Sequence, residues 1–239
     1  MLLFATQGCE TLQQKTPAAG SDSVVEAPVA VVLPFSEPEP VARELDEDLI
    51  YSYLVGEIGA NRGDLRLAQR HYQQAAILAQ DAYAAERATR IALHLKDYPA
   101  GLAAVRRWVE FAPNDVTARQ LAAVLFLRNQ QIDAAGEQLD ALVKIADARD
   151  LDGFLQATGV LSAEPDRAGA EQLMQGLHER HPDDVRSLYA LAVMETAHQR
   201  FVEAEARLRA VIAEDPAWEQ PRVLLSRVLV AQSRREQAR

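Results

Sequence analysis

Apolar positions along the chain recur in blocks about 34 residues long, and each block carries two stretches of helical periodicity divided by a short polar break. The clearest block starts at Val185 and reads VRSLYALAVMETAHQRFVEAEARLRAVIAEDP. Leu191 and Ala192 are a large–small pair on its first helix, Phe201 marks the turn, Ala204 lies on the second helix and Pro216 stops it. The same landmarks occur upstream as Gly56, Leu65, Ala68, Tyr72 and Ala75, then Tyr98, Gly101 and Pro113, then Ala123, Ile132, Ala135 and Leu139. A fourth block holds Ala157, Thr158, Ala170, Leu177 and Pro182. It is the most degenerate, because Arg167 replaces the turn aromatic and Pro165 falls just before it.

The small residues Ala68, Gly101, Ala135, Ala170 and Ala204 are spaced 33, 34, 35 and 34 residues apart, and Ala238 follows after another 34. A small side chain is needed wherever two antiparallel helices approach closely, so these positions predict the helix crossings. Pro and Asp punctuation, as in Ala112-Pro113-Asn114-Asp115 and His181-Pro182-Asp183-Asp184, ends one helix and caps the next. Five blocks are expected to start near 49, 82, 116, 151 and 185. A sixth begins near 219 and stops at Arg239, inside the expected second helix of its pair. An end left open in this way exposes apolar surface.

In order and spacing these landmarks resemble the tetratricopeptide repeat. The resemblance spans 49–239 and implies an all-α fold, a right-handed superhelical solenoid of antiparallel helix pairs. It also implies a scaffold that binds protein and needs no cofactor.

Composition and charge narrow the function. The chain has 239 residues, 49% of them apolar but only 6% aromatic, which favours helices packed through small side chains. Of the net charge of −10, −7 falls within residues 10–48, where nine acids face Lys15 and Arg43. The remainder is nearly neutral. A nucleic-acid partner needs a basic patch that releases phosphate counterions, and none is evident.

The single cysteine, Cys9, excludes an internal disulfide and a multi-cysteine metal site. It follows the partly apolar run MLLFATQG, and Ala5-Thr6-Gln7-Gly8-Cys9 partly resembles a bacterial lipobox. Gly8 and Cys9 fit it, while Thr6 stands where leucine is usual. The alternative is a free thiol on a disordered tail. Residues 11–44 hold five prolines, at 17, 28, 34, 38 and 40, which interrupt any helix. Residues 1–9 therefore read as the remnant of a lipoprotein signal peptide, 10–44 as a disordered acidic spacer and 45–239 as the solenoid.

Cysteine, spacer and solenoid in that order, with the run Leu49-Ile50-Tyr51-Ser52-Tyr53-Leu54-Val55-Gly56, resemble the tetratricopeptide-repeat lipoproteins of Gram-negative bacteria that act as periplasmic adaptors. One of these partners a carboxyl-terminal processing protease. The resemblance implies a protein partner, such as a periplasmic processing protease, and membrane contact only through a lipid anchor. Glu10, in place of the aspartate linked to inner-membrane retention, implies the periplasmic face of the outer membrane. A pilotin-like lipoprotein of secretin assembly is the alternative, and a hydrolase a remote one. Oligomeric state stays open, since both the convex and the open-end surfaces of solenoids can self-associate.

The sequence holds no glycine-rich phosphate loop, no His-Glu-x-x-His helix and no Gly-x-Ser-x-Gly elbow. His178 and His181 stand three apart, at metal-ligand spacing, but they also suit the last turn of a helix before Pro182. Carboxylates such as Glu203 and Glu205, two apart, point to different helical faces. No catalytic or metal-binding residue is assigned.

By the same resemblance, first helices line the concave groove. With the large–small pair facing the core, the second, fifth, ninth and neighbouring places of each block turn toward that groove. The register selects Tyr53, Glu57, Tyr83, Glu86, Arg90, Gln120, Val124, Arg128, Arg186, Tyr189, Val193 and Arg227 as partner-binding residues. Tyrosine and arginine recur among them, and both types supply binding hot spots. Glu86 and Arg90 also stand at the i to i+4 spacing of an intrahelical pair.

The lipobox reading carries its own prediction. Cells fed a clickable fatty acid should label the wild-type protein and not Cys9→Ser; equal labelling of both would refute acylation at Cys9.

Overall fold

The computed structural model describes residues 46–237, with side chains through residue 233; Cys9, the spacer and Ala238 lie outside the described residues. Eleven helices and no strand occur among the described residues, all of them in one unit. They are α1 (Glu47–Arg62), α2 (Leu65–Ala79), α3 (Ala82–Leu95), α4 (Tyr98–Phe111), α5 (Val116–Arg128) and α6 (Ile132–Asp147). The second half comprises α7 (Gly153–Leu161), α8 (Arg167–Arg180), α9 (Val185–Ala197), α10 (Phe201–Glu214) and α11 (Glu219–Gln237). No helix among the described residues is long and apolar enough to cross a membrane.

Aspartate starts most of these helices. Asp46, Asp64, Asp81, Asp97, Asp115, Asp152, Asp166 and Asp184 each accept a backbone N–H of the first turn. Each cap satisfies donors that the helix itself leaves unpaired, worth about 1 kcal/mol. The breaks are short because several residues adopt the left-handed conformation: Gly63 at φ 79°, and Gln80, Lys96, Gln130 and Gln199 at φ between 51° and 63°.

Consecutive helices pack as hairpins, and each hairpin packs on the next, giving an all-α solenoid of the tetratricopeptide type. The crossing alanines Ala68, Ala135, Ala170 and Ala204 have no exposed surface. At Gly101 even a methyl group would meet Leu125 Cδ2 at 2.9 Å. The larger landmarks fill the space between: Tyr72, Trp108, Leu139 and Leu177 are buried, and the Trp108 indole N–H donates to Asp115 at 3.2 Å. One carboxylate thus caps α5 and holds α4.

The fourth pair departs from the pattern, and the chain shows why. Helix α7 is only nine residues long and packs on α6 and α9 more than on its own partner α8. A Cβ on Gly153 would stand 2.5 Å from the Val143 Cα, so the backbones of α6 and α7 touch. The Ser162–Asp166 connection is pinned by Glu164, buried and paired with Arg128. In the sixth block, where a turn and second helix were expected, Ser226–Gln237 continues as one helix. No Gly, Pro, Asn or Asp occurs in that stretch to stop it.

The two close approaches should respond differently to a methyl group. Gly153→Ala pushes backbone against backbone and should cost about 1–3 kcal/mol in urea unfolding. Gly101→Ala meets only a side-chain tip and gains helix propensity, so its change should stay within about 1 kcal/mol. Equal losses would contradict the α6–α7 contact.

Candidate protein-binding face

The odd-numbered helices carry the residues that the register selected, and at the N-terminal end they form one network. The Tyr53 hydroxyl donates to Asp81 at 2.6 Å, tying α1 to the cap of α3. Tyr83 donates to Glu57 at 3.4 Å, and the Glu86–Arg90 pair closes at 2.7 Å along α3. Arg87, which the register passed over, is the hub: it donates to Glu57 at 3.4 Å and to the Tyr72 hydroxyl at 3.1 Å. Its guanidinium also lies over the Tyr72 and Tyr83 rings. Burial, and after it the Glu57 carboxylate, pushes the Tyr72 hydroxyl up to about 12, so Tyr72 stays a neutral phenol.

Further along, most of the selected residues are engaged within the solenoid. Gln120 donates to Gln156 at 2.9 Å. Arg128 grips Glu164 through two bonds of 2.8 and 2.9 Å and lies over the Tyr98 ring. Val124 is 4% exposed and belongs to the core, not to a groove surface. Helix α5 is apolar on nearly every side from Ala122 to Leu127, so the turn that should have faced solvent is covered by neighbours.

At the C-terminal end, Arg186 bonds Asp184 at 2.6 Å and Asp147 at 2.8 Å, with its plane over Phe154. Those two carboxylates hold its pKa above the ordinary arginine value. Tyr189 is nearly buried and packs on Trp218, the ring centroids 4.7 Å apart, with Val193 half-buried in the same cluster. Burial raises the Tyr189 pKa. Tyr83, Arg90 and Arg227 are the selected residues that stay exposed.

Three histidines are each engaged by a separate partner. His178 shares a hydrogen bond of 2.7 Å with Ser187, His181 one of 3.1 Å with Asp140, and His198 one of 2.9 Å with Glu171. Burial lowers the His178 pKa. Among the described residues no three His, Cys, Asp or Glu side chains converge for a metal.

Exposed apolar side chains recur on the first hairpin, as they do near the C-terminal end at Val202, Val223 and Val230. Ile50, Leu54 and Ile58 recur every four residues along α1, beside Tyr51, and are 39%, 57% and 47% exposed. Tyr83, on α3, is half exposed.

These features define a helical-repeat scaffold, an all-α solenoid of the tetratricopeptide type. No family model matches the chain. It is similar to the TPR repeat-containing protein PA4667 of Pseudomonas aeruginosa, with 28% identity over 97% of this chain, and it spans 38% of that relative's length. Among solved structures it is similar to MamA of Desulfovibrio magneticus, with 16% identity, 73% of this chain and 99% of that one covered, and a TM-score of 0.41. A tetratricopeptide repeat protein of Parabacteroides merdae is 17% identical, covering 80% of this chain and 74% of that one at a TM-score of 0.42.

The Arg128–Glu164 pair yields a stability test. Arg128→Ala leaves a buried carboxylate unpaired and should cost about 3 kcal/mol in urea unfolding. Arg128→Met combined with Glu164→Leu should recover most of that loss. Failure of the apolar pair to recover would place the stabilisation in the stacking on Tyr98 instead.

Proposed function

We propose that this chain is a non-catalytic protein-interaction scaffold whose first hairpin and α3 present the binding face. The observation that carries this reading is the concentration of exposed Ile50, Tyr51, Leu54, Ile58 and Tyr83 at one end of the solenoid, with the exposed cation Arg90 on α3. Apolar and aromatic anchors of this kind gain free energy when a partner removes them from water. Arg128, Arg186 and Tyr189 tie separate repeats together and serve the scaffold.

The finer reading is a lipid-anchored adaptor on the periplasmic face of the outer membrane that holds a processing protease or its clients. Its support is the order of cysteine, proline-rich spacer and helical repeats. In crosslinked cells, a pull-down should recover a processing protease. Recovery of a secretin instead would favour the pilotin-like role, and turnover of a substrate by the purified chain would overturn the scaffold reading. Tyr83→Ala with Arg90→Ala should weaken the captured partner by about 2 kcal/mol with unchanged helicity. Full affinity in that variant would move the binding face elsewhere.

A further inference from the structure

A cavity of about 500 Å³ lies between the start of α2 and the α3–α4 turn, lined by Arg66, Gln69, Arg70, Leu95, Lys96 and Asp97. Gln69 is 5% exposed, and its amide nitrogen is buried without a hydrogen-bond partner among the described residues. A buried, unpaired donor is costly to a fold. Around it, Arg66 and Arg70 stand at i and i+4 on one face of α2, where like charges repel. Lys96 is brought to the same opening by its left-handed backbone at φ 58°. None of the three cations forms an ion pair among the described residues. Asp97 is already engaged, accepting the Ala100 N–H at 3.2 Å as the cap of α4.

We infer that this cavity binds a phosphate monoester. Three cations against one aspartate leave two positive charges, which match the near-dianion that a phosphate monoester is at neutral pH. Arginine forks take phosphate oxygens in pairs, and the Lys96 ammonium adds a third cation at the same opening. The volume exceeds that of the anion alone and admits a small organic substituent. The site lies on α2 and the α3–α4 turn, apart from the α1 and α3 side chains proposed to hold protein. A monoester could reach it as a free phosphorylated metabolite or as the headgroup of phosphatidic acid, and the chemistry is the same.

Titration of the full chain with glycerol 3-phosphate, against glycerol and against chloride of equal ionic strength, tests the site. Glycerol 3-phosphate should bind and raise the melting temperature. Arg66→Gln with Arg70→Gln should weaken binding by about tenfold or more, as expected when two charge-assisted hydrogen bonds are lost. Gln69→Leu should raise the melting temperature in chloride, because it deletes the unpaired donor, and should keep the phosphate-dependent increment supplied by the cations. Co-sedimentation with phosphatidylcholine vesicles, with and without phosphatidic acid, separates the two sources. Capture that needs phosphatidic acid and both arginines assigns the membrane lipid, whereas binding of glycerol 3-phosphate without such capture assigns a soluble ligand. The inference is overturned if glycerol 3-phosphate acts no differently from chloride, or if the arginine variant binds it as the wild type does. Arg66 and Arg70 are exposed, so their replacement leaves the core intact and tests the site even if Gln69→Leu fails to fold.

Discussion

Every repeat depends on one approach, that of two helices crossing where neither can carry more than a methyl group. At Ala68, Ala135, Ala170 and Ala204 the side chain is wholly enclosed, and at Gly101 not even a methyl fits without moving Leu125. Close crossing brings the backbones together and lets flanking residues such as Tyr72, Leu139 and Leu177 interdigitate around the contact. Each hairpin alone is too small to bury its apolar face. Stacking supplies the missing surface, which makes the spacing of small residues the geometric unit of the whole molecule.

A second set of contacts joins one repeat to the next, and it is polar. Tyr53 with Asp81, Glu57 with Arg87 and Arg128 with Glu164 bridge successive repeats, and Arg186 with Asp147 reaches past the fourth pair to join the fifth repeat to the third. Most are part-buried, so losing one partner leaves the other desolvated and unpaired. Such pairs fix the stacking of neighbours more than they add net stability. The Arg128–Glu164 bond does this beside the shortest of the described helices, where it anchors the connection after α7.

The surface that remains is unevenly supplied with binding chemistry. Exposed apolar side chains recur along α1, while cations that form no ion pair among the described residues line the cavity beside α2. Between them, Tyr72 links the two helices through Arg87 and Glu57, and its hydroxyl stays protonated across the physiological range.

The helix pairs could be read from the chain because their causes are local. An aspartate before a helix, an alanine at a crossing and a proline after a stop each act within a turn or two of their own position. The all-α solenoid follows from repeating that local code. The binding face was less legible, because a side chain's availability depends on what the next repeat places opposite it. Tyr189 and Arg186 have the residue types and register of groove anchors, yet Trp218 and Asp147, 29 and 39 residues away in sequence, occupy them. Likewise, no period reveals that Arg66, Gln69, Arg70 and Lys96 share one cavity. Helix periodicity determines which way a residue points, and only the packing of separate helices determines what it meets there.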